Sequence, residues 1–165
     1  MAPEYSILPP VGAMVAAAVV DLGRRPGVSV KTKVTETTVQ YDVSAPSYRM
    51  VIFVDPESWV GMVFTVLDDQ GGELLSTSHD TDLYPIGLDL HRWFAREIEE
   101  EIVELVHDLL HGGVHVGEVG GRRALVVPLI DGIRRVVGTA KAATHRDFPD
   151  RSQAMAEGTG WRELT

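Results

Sequence analysis

Residues 88–111 read LDLHRWFAREIEEEIVELVHDLLH and run straight into Gly112-Gly113. Strong helix formers dominate the stretch, and neither Gly nor Pro interrupts it. At 100° per residue, Phe94, Ile98, Ile102, Leu105 and Leu109 fall on one stripe. The glycine pair then permits the left-handed backbone that closes a helix. A helix of that length with one apolar side must be laid over another layer, so the rest of the chain has to supply one.

Most of it reads as strand. An N-terminal helix is expected from Val11 to Leu22, stopping at Gly23. Val28, Val30 and Val34 share one parity, and Val39, Tyr41 and Val43 the other. The buried face therefore flips, which requires a bulge or tight turn near Thr35–Thr38. Tyr48 to Val54 is almost wholly apolar and reads as a central strand covered on both faces. Trp59 to Leu67 and Glu73 to Ser76 continue a meander across Asp55-Pro56-Glu57-Ser58 and Asp68-Asp69-Gln70-Gly71-Gly72. Short connections of this kind pair neighbouring strands antiparallel. After the long helix, Val114 to Val119 and Arg122 to Leu129 form a hairpin across Gly120-Gly121. Asp131 then caps an expected last helix carrying Ile133, Val136, Val137 and Ala140. The reading is a single α+β domain: an antiparallel sheet, meander plus hairpin, packed against one long amphipathic helix and two shorter ones. Residues 1–10 form an extended lead, 11–144 the domain, and 145–165 a polar tail. That tail is expected to be disordered in isolation, with Phe148 and Trp161 as docking residues.

Bulk properties narrow the function classes. A chain of 165 residues buries a sizeable core without staples. The absence of cysteine removes disulfides and thiolate metal sites, and fits a reducing, cytoplasmic setting. A net charge of −9 argues against nucleic acid, whose binding rests on Lys and Arg against phosphate. The apolar run at residues 11–20 is too short to span a bilayer and lacks a basic lead, so no membrane partner is expected.

Chemistry concentrates on the back of the long helix. Glu100, Glu104, His107 and His111 are spaced four, three and four, so their side chains line up. Glu104-x-x-His107 has the carboxylate–imidazole spacing of di-metal bundles. His107 and His111 have the spacing with which zinc-protease helices hold Zn, but Asp108 stands where the Glu base belongs. Glu104, His107 and His111 are therefore candidate ligands for zinc or another divalent metal, against a plainer reading as the solvated back of a core helix. The pairs His79-Asp80 and His107-Asp108 also occur in metal-dependent phosphohydrolases of the HD type. That family is all-helical, so His79-Asp80-Thr81-Asp82 is read here as a polar loop. Ser58, Ser76 and Ser78 have no identifiable base partner, and Gly117-x-x-Gly120-Gly121 is a hairpin tip rather than a phosphate cradle. Arg122-Arg123 and Arg134-Arg135 are short basic spots, solvated by default.

Trp93 falls on the polar side of the long helix, and exposed Trp is a common interface anchor. The order helix, strands, long helix, hairpin, helix over residues 11–144 is similar to that of the type III secretion chaperone fold. That resemblance implies a non-catalytic homodimer that binds an extended segment of a partner protein along its sheet and helix surface. The expected function is thus a non-enzymatic interaction module without a cofactor, chaperone-like or of the inhibitor or immunity type. Trp93, Arg96, Glu97, Glu100, Phe148 and Trp161 are its candidate contacts. The alternative is a metal-dependent hydrolase built on Glu104, His107 and His111, in which the metal activates water.

Overall fold

A computed structural model describes residues 11–55, 59–80 and 89–165. The expected lead 1–10, the turn residues Pro56, Glu57 and Ser58, Thr81 and Asp82, and the side chain of Trp59 lie outside the described residues. The described part begins with helix α1 (Ala13–Gly23) and the strands β1 (Ser29–Val34), β2 (Val39–Ser44), β3 (Tyr48–Asp55), β4 (Trp59–Leu67) and β5 (Glu73–Asp80). Helix α2 (Asp89–His111) follows, then β6 (His115–Val119), β7 (Arg122–Leu129), β8 (Gly132–Gly138), β9 (Ala143–Phe148), α3 (Arg151–Met155) and β10 (Gly158–Glu163). The class is α+β, as the sequence implies, but with two antiparallel five-stranded sheets. Sheet A has the order β1-β2-β3-β4-β5, and sheet B the order β10-β6-β7-β8-β9.

The parity change between Val34 and Val39 is resolved by a hairpin, in which Thr35 N–H donates to the Thr38 carbonyl at 2.9 Å. Gly120 and Gly121 both have positive φ, 58° and 75°, as the two-residue β6–β7 turn demands.

One continuous core joins both sheets. Val15, Val19 and Leu22 of α1, Ile98, Ile102, Leu105 and Leu109 of α2, Met50, Ile52 and Phe64 of sheet A, and Leu125, Val127 and Val136 of sheet B belong to it. The α2 helix packs on β4 and β5 on one side and on β7 on the other. Its apolar arc is consequently wider than a single stripe, and Ala95 and Val106 are buried too.

Three expectations are corrected. Gly132–Gly138 is strand β8, not a helix capped by Asp131; Ile130 and Asp131 are the turn between β7 and β8. Ile133, Val136 and Val137 have helical spacing, but Val136 joins the main core while Val137 is buried on the opposite face. A strand covered on both faces shows no period of two, so its pattern can mimic a helix. The β3 strand, by contrast, alternates: Tyr48, Met50, Ile52 and Val54 are buried, while Val51 and Phe53 are half-buried on the outer face. His79 and Asp80 close β5 instead of forming a loop, and the His79 side chain is buried.

Residues 145–165, expected to be disordered, are instead built into sheet B: 145–148 complete β9, and β10 is the strand at its other edge. The α3 helix, capped by Asp150, seats Ala154 over the outer face of that sheet, and β10 pairs with β6. Leu164 reaches the main core. The helices thus do not share one face: α1 and α2 lie inside, α3 outside. Trp161 covers Gly117 and Gly158, where an added Cβ would sit 2.6 Å and 2.3 Å from the indole.

Candidate interaction surface

The α2 helix places its polar residues along one line. Trp93, Glu97, Glu100, Glu104, His107 and His111 recur every three or four residues, opposite the buried arc. Glu104, His107 and His111 are exposed, and Glu100 is half-buried. The His111 ring meets the His107 carbonyl at 2.7 Å, a local bond in the last turn where the helix dipole favours an imidazole. Asp108 turns away and accepts from Arg151 Nη2 at 2.7 Å, tying α2 to α3. Among the described residues, no three His, Asp or Glu are arranged to hold a metal ion. The three candidate ligands are brought into one row, but onto open surface.

The head of the same stripe is different. Trp93 is 64% exposed, and its Nε1–H donates to Glu97 Oε1 at 3.0 Å. That i,i+4 bond pins the indole along the helix. Phe94 beside it is 37% exposed although it belongs to the apolar stripe. Arg96 and Glu100 flank the pair, 3.7 Å apart. A rigid aromatic with an apolar neighbour and a polar rim has the composition of an interface anchor. Phe148 and Trp161 are instead engaged within the chain. The Arg135 and Arg146 guanidiniums lie 4.6 Å and 4.9 Å from the Phe148 ring centre. Trp161 Nε1–H donates to the Met155 carbonyl at 3.0 Å.

Sheet A offers a second open surface. Lys31, Asp42, Val51, Val63 and Ser78 are paired in register across all five strands on its outer side. Val63 is exposed and Val51 half-buried. Lys33 bridges Asp42 at 2.8 Å and holds that carboxyl below its ordinary range.

Two carboxylates, the buried Glu99 and the half-buried Glu101, were not legible as sites in the sequence. Glu99 accepts from the backbone N–H groups of Gly12, Met14 and Val15 at 2.9, 3.1 and 3.3 Å. It caps α1, whose own N-cap residue, Gly12 (φ 97°), has no side chain to do so. Glu101 Oε2 lies 2.8 Å from Nδ1 of the buried His79, so β5 and α2 share a carboxylate–imidazole pair. Nearby, Arg134 grips Asp147 through Nε and Nη2 at 2.8 and 3.1 Å. A carboxylate that orients an imidazole is half of a general-base device. Among the described residues, however, no hydroxyl is hydrogen-bonded to His79. The pair therefore does the work of a buried polar tie between sheet and helix.

No family model, curated protein or solved structure matches the chain significantly.

Proposed function

We propose that the protein is a non-catalytic interaction module, chaperone-like or of the inhibitor or immunity type, that grips a partner protein through the head of α2. The observation that carries this reading is Trp93, 64% exposed and fixed by Glu97 beside the 37% exposed Phe94. An indole left in water on a rigid helix costs little entropy to dock, which is why such residues dominate binding energy. Arg96, Glu97 and Glu100 form the polar rim, and the open face of sheet A around Val51 and Val63 extends the area for an extended partner segment. In this reading the module works in the cytoplasm as a homodimer, without nucleic acid, membrane or cofactor, as type III secretion chaperones do.

The test places a photo-crosslinking amino acid at position 93 in the producing cells. A discrete crosslinked protein, lost when Glu97 and Phe94 are also changed to Ala, is the expected result. Trp93→Ala should meanwhile keep the thermal midpoint within a degree or two, because the ring buries little surface on folding. A collapse of stability, or no crosslinked protein at all, sinks the proposal. The metal-hydrolase alternative has a separate readout: stoichiometric zinc, manganese or iron in purified protein, lost on His107→Ala/His111→Ala, would replace the present reading.

A further inference from the structure

On the outer face of sheet B, between the β6–β7 turn and β9, lies an open cleft of about 300 Å³. It is lined by Val119, Gly120, Arg122, Arg135, Val137, Thr144, His145 and Arg146. Register explains the layout. Val137 and Thr144 are paired neighbours and form the floor. Arg122 stands toward the hairpin end of β7, while Arg135 and Arg146 pair one row beyond the floor on the other side.

Three arginines line one cleft in a protein of net charge −9. Like charges in one cleft repel, and the usual remedy is a set of local carboxylates. Here that remedy is incomplete. Arg135 is 6% exposed and has Glu157 at 2.9 Å and the Ala154 carbonyl at 3.1 Å, but its buried Nε has no partner among the described residues. Arg146 is held only by stacking on Phe148, and among the described residues neither Arg122 nor Arg146 has a carboxylate within ion-pair distance. The planar guanidinium fork matches a carboxylate or phosphate with two parallel bonds. Arg122 and Arg146 stand on strands two spacings apart, roughly 10 Å, and four residues apart along them, roughly 13 Å, so their long side chains reach toward the floor from its two ends.

We infer that this cleft is a binding site for a small multiply charged oxyanion, held between Arg122 and Arg146 above the Val137–Thr144 floor. The Thr144 hydroxyl is turned to the Val137 carbonyl at 3.5 Å, and Arg135, tied to Glu157 and stacked on Phe148, flanks Arg146 beside the floor. The volume corresponds to roughly ten water molecules, enough for a diphosphate or a tricarboxylate. The site does not depend on the partner-binding reading, because it lies on sheet B rather than on the stripe of α2.

The test is calorimetric titration of the full chain with pyrophosphate and, separately, with citrate, at constant ionic strength in a buffer free of both. Saturable one-to-one binding is expected, weakened about tenfold for each arginine removed in Arg122→Ser and Arg146→Ser. Arg24→Ser removes the same charge elsewhere and should leave affinity unchanged. Arginine side-chain NMR of the wild type should show Nε–H shifts confined to Arg122, Arg135 and Arg146. Binding of pyrophosphate alone assigns the site to phosphates, and of citrate alone to carboxylates. No saturable binding of either, or equal binding by the Arg122→Ser/Arg146→Ser protein, overturns the inference.

Discussion

Glu99 shows how much one side chain can decide. It is 3% exposed, yet it is a carboxylate, and it is tolerable there only because three backbone N–H groups point at it. Glu99→Ala leaves those donors buried and unmet and should cost about 2–4 kcal/mol in urea unfolding. Glu99→Gln keeps an acceptor oxygen and should cost about half as much. Glu99→Ala matching wild type would show that the cap is incidental. Gly117 is a second such residue: a Cβ there meets the Trp161 ring at 2.6 Å and the Thr159 carbonyl at 2.8 Å. Gly117→Val is expected to unseat the indole and red-shift its fluorescence. Asp147 carries a pH signature, because Arg134 holds its carboxyl below the ordinary 3.8. A depressed value stabilises the fold above the ordinary value, and that contribution fades as pH falls through the depressed one. The pair is half-exposed, so less than about 1 kcal/mol is at stake. Asp147→Asn should lower the urea midpoint at pH 7 and leave it unchanged well below the depressed value. None of these three roles shows in the sequence. Glu99 sits in a run of three glutamates, of which Glu99 caps a helix 87 residues away while Glu101 meets His79. Local spacing distinguishes faces of a helix, not what stands opposite each face.

The strands and helices divide by how strongly their pattern is one-sided. The α2 helix was legible because it is long, lacks breakers and keeps one side wet; Trp93, Glu104, His107 and His111 fall on the exposed side that the angles give them. The hairpin at Gly120-Gly121 was legible from turn chemistry. The β8 strand was not, because α3 and the returning chain cover its second face and bury Val137 and Arg135 together. A reader of Arg134-Arg135 sees two solvated cations, and nothing local reveals that only the first reaches the surface. The difference between strand and helix here is measurable by amide exchange. In a helix, protection would run unbroken from Ile133 to Ala140. With β8 central and β9 at the edge, protection should be uniform over 133–137 and alternate along 143–148, since only every second β9 amide faces β8. Unbroken protection across 133–144 would contradict the strand assignment.

At the scale of the molecule, the two sheets are not separable units. Their inner faces share α2, and the C-terminal β10 closes sheet B while Leu164 enters the common core. Heat or urea should therefore unfold the protein in one transition, with fluorescence and far-UV dichroism superimposable. Removing residues 158–165 strips β10 from β6, empties the Leu164 site and uncovers Gly117. Leu164 alone is worth about 2–5 kcal/mol, so the shortened chain should lose most of its stability. Two resolved transitions, or a truncated chain as stable as the whole, would show that the sheets fold independently. The sequence yields the class of this architecture but not its division into two sheets, because long-range pairing of β10 with β6 has no local signature.

Translation order gives the α1 cap a temporal meaning. The helix leaves the ribosome before α2, and the carboxylate that completes its first turn is encoded 87 residues later. At roughly 5–20 residues per second that interval is roughly 4 to 17 s, long against every elementary folding step except proline isomerisation. During it, α1 exposes the apolar Val15, Val19 and Leu22 with its N-terminal amides open. A nascent chain arrested before residue 99 should be cut by protease within α1, and one arrested with α2 wholly outside the tunnel should resist. Folding of α1 onto the core is thus tied to the arrival of α2, although the two are far apart in the chain.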